Sequence, residues 1–139
     1  LGSNFYWHKH ETHGLTKEDI LAAGLTDDRV QISIKILDVL IAIDKELQER
    51  NWRLYIKEGY RSEEVYKIVY QRRVEKYGKE MTDRLLNIES MPHALGLSVD
   101  VAIWDTQQNR EVYLRRGEDG IEALFIDFYK DKDDSESRK

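Results

Sequence analysis

The sequence has no cysteine, which excludes disulfides, thiolate metal sites and a cysteine nucleophile together, and leaves any metal to histidine and carboxylate ligands. Proline is nearly absent as well: Pro92 is the only one, directly before His93. No stretch approaches the roughly 18 consecutive apolar residues of a membrane-spanning helix. Nor does the chain open with a basic segment leading into an apolar run. Positive charge is in short supply, since 22 Lys and Arg stand against 27 Asp and Glu for a net charge of −5. That balance gives no general attraction to phosphate backbones or anionic lipid, so nucleic acid and a membrane are poor partners. What remains is a chain of 139 residues, 40% hydrophobic and 35% charged, the size of one domain with a heavily charged surface. It starts Leu1-Gly2-Ser3 rather than with Met, as an added or processed end would.

Thr16, three residues before Asp19, predicts a capped helix running to about Ala23 and stopped by Gly24. Val30, Ile34, Leu37, Ile41 and Leu47 follow helical spacing and predict a long helix over 29–50, although Val30 to Ile36 alone alternates like a strand. Arg53 to Lys57 alternates and is followed by Gly59, which predicts a strand over 53–57 that delivers Tyr60 and Arg61 at its end. Ser62, with Glu63 and Glu64 behind it, caps a helix over 62–77 ended by Gly78, and a shorter helix is expected from Met81 to about Asn87. The run at 98–104 alternates, with Val99, Val101 and Ile103 on one face and Asp100 on the other. Glu111 to Leu114 is expected to return as its hairpin partner. The expected fold is therefore α+β: a small antiparallel sheet packed by a long N-terminal helix and further helices, in one domain over 1–139. The charged run 130–139 reads as a solvated tail, or as a loop at which a longer protein was cut.

Three groups of residues carry possible chemistry. His93, on the Pro92 loop, and Asp100, on a strand face turned from its apolar neighbours, are ligand types that zinc accepts together, though their spacing alone is a weak signal that favours a loop-capping Asp and a space-filling His. Arg61 after Gly59-Tyr60 is, in isolation, a surface charge. His8, His10 and His13 miss the spacing of the His-Glu-x-x-His zinc helix, so they read as an exposed or groove-lining segment, an incidental metal binder, or donors of one ligand to the His93 and Asp100 site. Trp7, Trp52 and Trp104 read as core or groove walls.

The segments Glu58-Gly59-Tyr60-Arg61-Ser62 and Pro92-His93-Ala94-Leu95-Gly96-Leu97-Ser98-Val99-Asp100 together resemble the zinc D,D-peptidases of peptidase family M15, which carry Gly-Tyr-Arg and later His-x-x-Gly-x-Ala-x-Asp. The resemblance extends from about Asn4-Phe5 to Asp127-Phe128, and the Phe-Ile-Asp-Phe stretch favours the D-alanyl-D-alanine dipeptidase branch. It implies zinc as cofactor with His93 and Asp100 as two of three ligands, and Arg61 as the catalytic stabiliser of a developing oxyanion. It further implies Tyr60 and Ser90 on the substrate side, and D-Ala-D-Ala or a related cell-wall peptide as partner, in a bacterial cytoplasm or periplasm. A D,D- or L,D-carboxypeptidase of the same family, or a peptide-binding homologue without catalysis, are the alternatives.

Three departures stand out. Ser98 replaces the usual Ala, and Met91 stands where many relatives have a substrate-side Ser. The Glu-x-x-His that supplies the family's general base and third ligand is missing, because no His follows His93. Impaired turnover is the expectation, through loss of the C-terminal part or through degeneration.

Overall fold

The computed structural model describes residues 1–113. Among them are α1 (Phe5–Lys9) running into a 3-10 turn (His10–His13), α2 (Lys17–Ala22), α3 (Ile34–Gln48), β1 (Trp52–Glu58), α4 (Glu63–Tyr77), α5 (Lys79–Leu85), β2 (Asp100–Asp105) and β3 (Arg110–Val112). The strands form one antiparallel sheet in the order β1-β2-β3, so the α+β class expected from the sequence is the class observed. The charged run 130–139, the Phe125 to Phe128 stretch and Leu114 of the expected third strand lie outside the described residues.

Local chemistry explains most of the element ends. Thr16 and Asp19 close a reciprocal capping box on α2, and the Ser62 hydroxyl accepts from the Val65 amide to start α4. The long helix expected over 29–50 is shorter: α3 has 15 residues and begins at Ile34. Ser33, whose side chain accepts from the Lys35 amide, supplies the cap. Residues 30–33 instead belong to no helix or strand, and the Gln31 carbonyl accepts from the Tyr60 amide at 2.7 Å. The strand-like alternation over 30–36 yields no strand either, since Ile34 to Ile36 open α3. The short α1, capped by the Asn4 side chain, was not anticipated.

Two apolar clusters hold the fold. Leu40 of α3 meets Leu54 and Ile56 of β1, with Val30, Ile36, Leu47 and Val99 around them. The larger cluster joins Tyr6, Leu15, Ile20, Val65, Tyr66, Val69 and Leu86, tying α1, α2 and α5 to α4. Ile20 and Val69 are fully buried in it, and such side chains each contribute about 1.5–3 kcal/mol by leaving water. The ends of β1 and β2 and the Pro92 loop meet beside this second cluster. No helix among the described residues is long and apolar enough to cross a membrane.

Candidate metal centre

Leu54, Ile56 and Glu58 alternate onto the buried face of β1. Leu54 pairs with Ile103 and Ile56 with Val101, but the register then slips and Glu58 faces Asp100. A bulge of this kind re-aims the side chains beyond it, and here it sets two carboxylates side by side where the strands part.

Arg61 folds back on that end. Its Nε donates to Glu58 Oε1 at 2.9 Å, its Nη2 pairs with Glu58 Oε2, and the same Nη2 lies 3.5 Å from Asp100 Oδ2. The side chain is only 4% exposed and lies against the rings of Tyr6 and Tyr66, 5.1 and 4.5 Å from their centroids. Its Nη1 is buried without an acceptor among the described residues. Burial pushes the Glu58 carboxyl well above the usual carboxylate range, with Arg61 pulling it back and Asp100 reinforcing the rise.

His93 is anchored on three sides. Its amide donates to the Tyr66 hydroxyl at 3.0 Å, its carbonyl accepts from the Gly96 amide at 3.1 Å, and Nδ1 stands 2.8 Å from the Gly59 carbonyl. A carbonyl only accepts, so Nδ1 carries the proton and Nε2 keeps a free lone pair. Burial lowers the basicity of His93, the Gly59 bond opposes this and Arg61 adds to it, so the ring is neutral at pH 7. Its Nε2 faces Asp100 Oδ1 at 3.7 Å.

A lone pair and a carboxylate oxygen repel unless a proton or cation lies between them. Zinc bonds both atom types at about 2.0–2.2 Å, so two donors 3.7 Å apart reach one ion without moving. The Gly59 carbonyl is the kind of outer partner that orients a ligating imidazole. Glu58, His93 and Asp100 offer three donor atoms that all lie within 4.8 Å of one another. The donor set fits a divalent ion through His93 and Asp100, whereas Glu58 would have to release Arg61 to join.

The pair sits in a cleft of about 930 Å³, with Arg61, His93 and Asp100 at one part of its lining and Tyr6, Tyr70 and Arg73 among its walls. Tyr60 is 46% exposed and lines a separate pocket of about 220 Å³ on the other side of the Glu58 and Arg61 pair. Ser90 is exposed, gives its amide to Asn87 Oδ1 at 2.9 Å and is absent from the cleft lining, where Glu89 is present. Met91 has a positive φ of 42° and packs on the larger cluster rather than lining the cleft.

The N-terminal histidines do not join the metal cluster. His8 pairs with Asp28 at 3.3 Å, His10 contacts the Trp7 carbonyl, and His13 packs on Phe5 and Tyr6. Trp7 packs on the larger cluster and Trp104 lies against Tyr55 of the sheet. Glu58 is the member that reading the sequence missed. Its signal was present: a carboxylate continuing the buried Leu54 and Ile56 face, three residues before an arginine.

No known family pattern, curated protein or solved structure matches this chain.

Proposed function

We propose that this cleft is the zinc site of a metallopeptidase-type protein that acts on D-alanyl-D-alanine or a related cell-wall peptide, with turnover by this chain impaired. The observation that carries it is the His93 Nε2 lone pair set 3.7 Å from Asp100 Oδ1 with Nδ1 already committed to Gly59. Zinc held there would supply Lewis-acid polarisation of an amide carbonyl. Arg61, with a buried and unpartnered Nη1 in the cleft lining, is suited to stabilise negative charge that develops on that carbonyl oxygen. Gly59 fixes the His93 ring and its proton, and Tyr66 fixes the loop that carries it.

The weak part of the machinery is proton transfer. Glu58, the buried carboxylate beside the pair, is held by Arg61 rather than left free to accept a proton, which supports impairment. The same ion pairing favours a second reading, a homologue that binds a peptide without cleaving it. Calorimetric titration with zinc, followed by D-Ala-D-Ala binding and hydrolysis assays, separates the outcomes. One zinc per chain with slow hydrolysis is expected. No zinc binding would overturn the metal site, brisk hydrolysis would overturn the impairment, and zinc and peptide binding without cleavage would select the second reading.

A further inference from the structure

A second feature of the cleft does not depend on the metal. Arg73 of α4 lines the same cavity as Tyr6 and Arg61, but its charge is answered by no carboxylate among the described residues. Glu58 neutralises Arg61, whereas Arg73 has no counter-charge among the described residues. Of its three nitrogens only Nη2 has partners among the described residues, both neutral: the Tyr6 hydroxyl at 3.3 Å and His13 Nδ1 at 3.5 Å. Its Nε is buried with no acceptor among the described residues, and His13 Nε2 is likewise buried without a partner among them. Arginine cannot accept a hydrogen bond, so His13 must present Nδ1 as acceptor and stay uncharged.

The surroundings sharpen the imbalance. Lys76, one turn further along α4, holds the Thr12 carbonyl at 2.8 Å and adds a second positive charge beside His13. Burial, Arg73, Lys76 and Arg61 together lower His13 to about 4, and Asp100 opposes them. A half-buried guanidinium with a buried orphan donor, flanked by a hydroxyl and by a histidine that burial and the guanidinium's field keep neutral, is arranged to receive an oxyanion.

We propose that Arg73 and the Tyr6 hydroxyl form an oxyanion subsite in the cleft wall, which takes the carboxylate or phosphoryl group of the molecule bound there. An anion placed on Arg73 would offset the charge that, after burial, most lowers His13, so His13 reports occupancy.

The test follows the His13 ring by NMR in the full chain, freed of metal on a chelating resin, as acetate and then inorganic phosphate is titrated in. Sodium chloride at matched ionic strength is the control. Acetate or phosphate should saturate and raise the His13 pKa by about half a unit or more. Arg73→Gln should weaken that binding about tenfold or more, and Arg73→Lys should weaken it less, because a point charge lacks the fork geometry. Tighter acetate assigns a carboxylate ligand and tighter phosphate a phosphoryl one. No saturation in the unsubstituted chain, an equal response to chloride, or unchanged binding in Arg73→Gln overturns the proposal. Zinc binding is measured separately, so a chain that takes acetate but no zinc overturns the metal site alone, and the converse overturns only the subsite.

Discussion

Asp100 stands opposite Glu58 only because the β1 and β2 register slips after Ile56. In an unbroken ladder Asp100 would face Lys57, whose side chain instead pairs with Glu111 of β3 at 2.6 Å. The slip turns a routine strand end into a point where two carboxylates, an arginine and a histidine converge. Like charges so close repel, and the arrangement persists because Arg61 reaches both carboxylates.

His93→Ala and Asp100→Asn should each weaken zinc binding about 100-fold or more, since loss of even an outer partner of a metal ligand typically costs about 10–100-fold. Calorimetry on the folded variants measures this. Unchanged affinity in Asp100→Asn would remove that residue from the site.

Glu58→Ala should lower stability by about 3–5 kcal/mol, because it strips the main partner from an arginine that is 4% exposed. Urea unfolding provides the value. A loss below about 1 kcal/mol would mean that Asp100 alone compensates Arg61.

Gly59→Ala should destabilise the chain by about 2 kcal/mol or more and weaken zinc binding with it. A Cβ there would come within 2.1 Å of the Gln31 carbonyl oxygen, backbone that cannot simply move aside. The shift needed would carry off the carbonyl that holds His93 Nδ1. Zinc affinity equal to the unsubstituted chain would show that this anchor does not position the ligand.

Stability should fall as pH drops from about 6.5 to about 4 through His13, whose pKa is lowered in the folded chain from 6.5 to about 4. In that window the unfolded chain binds the proton and the folded one does not, so acid favours unfolding; above it the effect vanishes. Comparing urea midpoints at pH 7 and pH 5 for the chain and for His13→Gln isolates the contribution. An equal pH dependence in the variant would assign it to other groups.

Much of the local structure was legible in the sequence. Capping hydroxyls at Thr16 and Ser62 and the alternation of Arg53 to Lys57 are interactions between near neighbours, so residue order alone fixes them. The motif around His93 and Asp100 likewise named the two residues that the structure brings within 3.7 Å. The segment before α3 is where local reading failed, because helical spacing and strand alternation overlapped at Val30 to Ile36. Neither pattern prevails over 30–33, where the Gln31 carbonyl is taken by the amide of Tyr60, far along the chain.

What only the tertiary structure decided are the partnerships across long sequence distances. The bulge that sets Glu58 beside Asp100, the Gly59 carbonyl that fixes the His93 proton on Nδ1, and the meeting of Tyr6, His13 and Arg73 each join residues from separate elements. Ser90 and Tyr60 show the other side of this, since Tyr60 lies within one motif and Ser90 just before the other, and neither lines the cleft. Residue types and spacing set which chemistry was possible. Strand register and helix packing chose the partners, because burial and charge depend on which distant groups arrive at the same place.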